Sequence, residues 1–142
     1  MKHYLIVLLG VFAYFGAIAQ DTTKAKPTLA ETQMWLKEKT EGNGVGRWPA
    51  NRYEVSFPDS CSMMLKEMGV DTAAVAKITI EFALIDFDKV SKKVNNTGTL
   101  IMTVGGNELR FVPKNPDDFY TRYIKALRRM KELCGGVDDG LF

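Results

Sequence analysis

Residues 100–136, LIMTVGGNELRFVPKNPDDFYTRYIKALRRMKELCGG, decide how this chain folds. Two apolar runs, Leu100 to Val104 and Glu108 to Val112, flank Gly105-Gly106-Asn107. The glycines supply the positive φ of a tight turn, so the stretch predicts a β-hairpin. A helix follows. Asn115 caps it, Pro116 takes its first position, and Asp117 and Asp118 favour its positive end. Tyr120, Tyr123, Ile124, Leu127, Met130 and Cys134 recur at three- and four-residue steps and form one apolar stripe. Gly135-Gly136 stops the helix. A hairpin running into an amphipathic helix predicts an antiparallel sheet closed at its C-terminal end.

The strands upstream fit that order. Tyr53, Val55 and Phe57 alternate with Glu54 and Ser56, as in a half-buried strand. After the turn Pro58-Asp59-Ser60 comes Cys61 to Met68, which reads as strand by the alternation of Cys61, Met63 and Leu65, although its composition also suits helix. The clearest strand is Lys77 to Ile85, with Ile78, Ile80, Phe82 and Leu84 on one face. Asn95-Asn96-Thr97 matches a glycosylation sequon and reads here as a turn. At the other end Thr28 and Glu31 form a capping box, predicting a helix to about Thr40 with Gly42 as its stop. Leu29, Thr32, Trp35 and Leu36 share its apolar side. The expected class is therefore α+β: an antiparallel meander sheet of about five strands, an N-terminal helix and a C-terminal closing helix.

Residues 1–19 read as a secretory signal peptide. Lys2 and His3 precede an uncharged run from Tyr4 to Ala19 that ends in Ala17-Ile18-Ala19, a small-x-small cleavage pattern. The competing reading is a retained anchor, but the run is shorter than the roughly 18–20 residues of a membrane span. Asp21, not a basic cluster, follows it. Gln20 stands where a lipid-bearing cysteine would. Export places the protein in the periplasm or outside the cell. The expected organisation is a signal peptide at 1–19, a flexible segment at 20–27, one α+β domain at 28–136 and a tail at 137–142.

Cleavage would remove 19 of the 142 residues and leave 123, enough for one real core. The leader holds one of the 19 basic residues and none of the 17 acidic ones, leaving 18 against 17 and a net charge of +1. That balance calls for no nucleic-acid partner. The single histidine, His3, leaves with the leader. Histidine general bases, serine and cysteine triads and most transition-metal sites leave with it. Cys61 and Cys134 are the only cysteines, and in an oxidising compartment an even pair reads as a disulfide, with two free thiols as the alternative.

Other candidate sites are weaker. Gly42, Gly44 and Gly46 lack the strand before and the helix after that a phosphate loop needs, so they read as a flexible connector. Asp86 and Asp88 begin like a calcium loop but lack its later glycine and glutamate, so a solvated connection running into Lys89, Lys92 and Lys93 is expected. No cofactor or metal set is expected. Trp48, beside Arg47 and Pro49, reads as a plug on the core, with a binding aromatic as its alternative. Arg122, Lys125, Arg128, Arg129 and Lys131 lie opposite the apolar stripe of the last helix. They are either a solvated face or a surface for anionic lipid or an acidic partner.

The order of elements resembles a pleckstrin-homology-like domain, in which a bent sheet is closed by a C-terminal helix. The segments Glu31-Thr32 to Trp35-Leu36-Lys37 and Ala126-Leu127 to Leu133-Cys134 also resemble secreted domains of Bacteroidota-type bacteria. No lipid-binding motif of the pleckstrin-homology family aligns residue by residue. The expected function is a non-catalytic exported domain that binds a protein, peptide or cell-envelope component. Two other classes stay open. One is peripheral contact with anionic membrane through Arg122, Lys125, Arg128 and Arg129. The other is a histidine-free hydrolase using carboxylates such as Asp86 and Asp88.

Overall fold

The computed structural model describes residues 25–48 and 50–136; the expected signal peptide (1–19), most of the expected flexible segment (20–24) and the expected tail (137–142) lie outside the described residues. The chain begins with α1 (Leu29–Asn43). Its capping box forms as expected: Thr28 Oγ1 accepts from Glu31 N–H at 3.3 Å, and Glu31 Oε2 accepts from Thr28 N–H at 2.8 Å. The helix runs past Thr40 and through Gly42, ending when Gly44 N–H donates to Thr40 O at 2.7 Å. Thr32, Leu36 and Thr40, four residues apart, are its buried positions.

Among the described residues six strands follow instead of about five: β1 (Arg52–Asp59), β2 (Ser62–Met68), β3 (Ala74–Glu81), β4 (Ser91–Val94), β5 (Leu100–Val104) and β6 (Asn107–Phe111). They form two three-stranded antiparallel sheets, β1-β2-β3 and β4-β5-β6, rather than one meander. The break falls at the end of β3. Its alternation stops at Glu81, and a 3₁₀ turn over Phe82–Leu84 sends Phe82 and then Ile85 into the core while leaving Leu84 exposed. A second 3₁₀ turn, Phe87–Lys89, leads into β4. The side chains of β4 are all exposed, so no apolar alternation marks it in the sequence.

The ambiguous Cys61–Met68 stretch is strand. Asp59 shapes the turn before it by accepting from Cys61 N–H at 2.7 Å and from the Ser62 hydroxyl at 2.6 Å. Met63 and Leu65 then face the core. The expected β5–β6 hairpin forms with a two-residue turn, Gly105 at φ 56° and Gly106 at φ 77°, and Asn107 joins β6 opposite Val104. The sequon is a turn: Asn95 Oδ1 accepts from the N–H groups of Thr97 and Thr99 at 3.0 and 2.9 Å.

The closing helix, α2, spans Pro116–Leu133. Phe119, Tyr123, Leu127 and Met130 are its buried apolar residues; Tyr120, Ile124 and Cys134 are only half-buried. Tyr123, Leu127 and Met130 are buried as expected, and the stripe starts at Phe119 rather than Tyr120. One core joins both sheets and both helices through Leu36, Val55, Leu65, Ile80, Met102, Phe111 and Tyr123. Phe119 and Tyr123 stack, and Phe111 packs tilted against both, with ring centroids 5.0–5.4 Å apart. Cys61 and Cys134 form a disulfide with Cα atoms 5.6 Å apart, tying the end of α2 to the β1–β2 turn. No helix among the described residues is long and apolar enough to cross a membrane.

Candidate functional site

The basic side of α2 is divided rather than continuous. Lys131 is only 6 % exposed, and its Nζ donates to Ile85 O at 2.9 Å, so it anchors the turn after β3 to the helix. Arg128 lies with its guanidinium 4.3 Å from the Phe87 ring centre, a cation–π contact on the same side. Arg122, Lys125 and Arg129 instead point into the space between α2 and α1. Steps of three and four residues keep them on one helix face, while Arg128 and Lys131 fall on the next.

There the two helices enclose an open groove of about 340 Å³. Pro27, Trp35 and Ala126 give it an apolar floor, and Arg122, Lys125 and Arg129 border it. Arg129 is held in place: its Nε donates to Pro27 O and one terminal nitrogen to Glu132, both at 2.9 Å. Arg122 sits 5.9 Å from the Trp35 ring centre and 3.6 Å from Asp118. Lys125 has no ion-pair partner among the described residues. The one acidic lining residue among those described, Glu31, is already engaged in the helix cap, and hydrogen bonds from Thr28 hold its carboxyl below the usual range. The groove therefore offers an apolar surface under a positive rim, with one cation unpaired. A second depression of about 380 Å³ continues from it past Trp35 and Arg122 towards Lys114 and Asn115. Trp35 and Arg122 stand at the junction.

Trp48 is not a plug: it is 67 % exposed. Its loop is organised by Glu67, whose Oε1 accepts from Arg47 N–H and Asn51 Nδ2 at 2.7 Å each. A side chain on Gly46 would run into that carboxylate, so the glycine is required by close packing and the loop is not a loose connector. With the backbone drawn inward onto Glu67, the indole is left outside. Trp48 lines a different cleft, about 350 Å³, with Tyr53, Val75, Ile78 and Arg110. It does not join Arg122, Lys125 and Arg129, and neither does Arg128. Trp35, which the sequence reading placed only on the apolar side of α1, is the aromatic that meets the basic rim. Trp35 precedes Pro116, the start of α2, by 81 residues, and nothing local in the sequence signals that meeting.

Asp86 and Asp88 lie exposed on the 3₁₀ turn and line none of these clefts. Asp86 bonds Lys89 at 2.7 Å and accepts from Asp88 N–H at 3.1 Å; the lysine holds its carboxyl below the usual range, against a small opposing effect of burial. That is a turn cap rather than a matched catalytic pair. Among the described residues no three His, Cys, Asp or Glu side chains gather as a metal site. Comparison with protein-family models, with curated proteins and with solved structures returned no match.

Proposed function

We propose that this protein is an exported, non-catalytic binding domain of the cell envelope, and that the groove between α1 and α2 takes an acidic peptide segment carrying an apolar side chain. The observation behind the reading is the pairing of an apolar floor, Pro27, Trp35 and Ala126, with the rim of Arg122, Lys125 and Arg129. An apolar anchor over Trp35 would supply contact area, and carboxylates would meet the rim. The disulfide supports an oxidising compartment. Two antiparallel sheets closed by α2 are compatible with the pleckstrin-homology-like layout, which belongs to the same proposal. The split of the basic side weighs against a broad membrane-contacting face, because Lys131 and Arg128 are turned to Ile85 and Phe87.

The test uses Trp35 fluorescence in a Trp48→Phe background. Acidic peptides with a central aromatic residue should shift the emission in a saturable, salt-sensitive way. Lys125→Glu should weaken that binding by roughly tenfold, the scale of one charge pair at a half-exposed rim. Binding to anionic vesicles with no response to any acidic peptide would replace this reading with the membrane one.

A further inference from the structure

The two sheets have four outer strands, and three of their edges are covered, short or charged. The edge of β1 is closed by α1: Glu41 accepts from Val55 N–H at 2.9 Å and Lys37 donates to Val55 O at 2.6 Å. The edge of β6 is closed by the segment leaving α1, through Val45 N–H to Arg110 O at 2.9 Å and Val112 N–H to Asn43 O at 2.8 Å. β4 spans only Ser91–Val94 and carries Lys92 and Lys93. β3 is different. It runs from Ala74 to Glu81, and among the described residues no strand pairs with its outer edge.

Its hydrogen-bonding direction follows from the register with β2. Phe82 N–H donates to Cys61 O at 3.0 Å, while Ser62, Met64 and Lys66 stand opposite Glu81, Thr79 and Lys77. In an antiparallel ladder this turns the backbone groups of Ile78, Ile80 and Phe82 towards β2 and those of Lys77, Thr79 and Glu81 outward. The same three residues are exposed, and their side chains share the solvent face of the sheet.

We propose that β3 pairs antiparallel with β3 of a second copy of this chain, about a two-fold axis through Thr79. In that register Thr79 stands opposite the partner's Thr79. Lys77 meets the partner's Glu81, and Glu81 meets the partner's Lys77. Every outward backbone group of the three residues then finds its counterpart, as a closed two-fold interface requires. Charge selects the register. Sliding one strand by two residues loses both ion pairs, and sliding it by four sets two lysines or two glutamates face to face. The pairing also brings Val75, 58 % exposed, beside the partner's Phe82–Leu84 turn, where Leu84 is 72 % exposed. It makes one six-stranded sheet across two copies and covers the open edge.

Sedimentation of the protein over a range of concentrations tests the pairing. A reversible monomer–dimer equilibrium is expected. Lys77→Glu and Glu81→Lys should each raise the dimer dissociation constant by roughly tenfold or more, since each turns two cross-strand attractions into two repulsions. Mixing the two variants should restore association, because each then faces its opposite charge. The double variant K77E/E81K should dimerise like the parent, and it controls for any effect of either change on folding. A protein that stays monomeric throughout, or single variants that dimerise as tightly as the parent, would overturn the proposal. So would a mixture that fails to associate.

Discussion

Tyr123 shows how one residue couples the core to pH. Its hydroxyl is fully buried and lies 2.6 Å from Thr40 Oγ1, joining the two helices through their inner faces. Burial pushes its phenol well above the ordinary value; the bond to Thr40 opposes that shift, and the nearby Tyr53 adds to it. Burial raises Tyr53 as well. In the unfolded chain both phenols ionise near pH 10. Above that pH the folded state therefore holds protons that the unfolded state has released. The contribution of these two phenols to stability is constant below about pH 10 and falls as pH rises beyond it, by about 1.4 kcal/mol per pH unit for each phenol still protonated. Tyr123→Phe should cost about 1 kcal/mol at neutral pH, because Thr40 loses its partner. It should then lose stability less steeply than the parent above pH 10. Urea denaturation from pH 7 to 11 compares the two slopes, and parallel curves would mean that water reaches this hydroxyl in the folded protein. The three-four spacing of α2 marked Tyr123 as core in the sequence. Its partner was not legible, because a threonine inside a helix gives no sign of which distant hydroxyl it will meet.

At the scale of elements, the contact between α1 and β1 replaces a missing strand. Lys37 and Glu41 are 2.6 Å apart, one helical turn from each other, and together they serve the outward N–H and C=O of Val55. Partial burial disfavours the Glu41 carboxylate. The hydrogen bonds from Lys37 and Val55 outweigh it and hold the group below the usual range, so this contribution is present at neutral pH and fades as pH falls through about 4 and below. Glu41→Ala should cost about 1–2 kcal/mol and speed hydrogen exchange at the Val55 amide. Glu41→Gln keeps an oxygen for that amide and should preserve most of its protection. Equal exchange in the two variants would show that the backbone of β1, not the side chain, protects the edge. Elements with strong local signals were readable: the Thr28 cap, the Gly105-Gly106 turn, and the buried side of β1 at Tyr53 and Val55. β4 was not, since Ser91, Lys92 and Lys93 look like a solvated connection and become a strand only by pairing with Thr103, Met102 and Ile101. The groove was half legible. Its cations stood out as a run on α2, but their division depends on Phe87 and Ile85, which approach from the turns between the sheets.

For the whole molecule, the disulfide is the one covalent link between its first sheet and its last helix. It closes a loop of 73 residues, which on the chain-entropy argument is worth about 4 kcal/mol. Against a typical domain stability of about 5–15 kcal/mol, losing it leaves a marginal protein. The loss should also be uneven. The first half of α2 is held by Phe119 and Tyr123 on Phe111. The last turn has Met130 in the core, the bond from Lys131 to Ile85, and the bridge itself. In the paired variant C61S/C134S the midpoint of urea unfolding should drop by an amount equivalent to about 4 kcal/mol, with a somewhat steeper slope because the unlinked denatured chain exposes more surface. Hydrogen exchange should rise first in residues 130–136. Arg129 borders the groove and is tied to Pro27 from that same end of the helix. The peptide binding proposed for the groove should therefore weaken in the variant at denaturant concentrations where most of the protein is still folded. A uniform loss of protection along α2 would instead place the effect of the bridge in the unfolded chain alone, and binding would then follow the folded fraction.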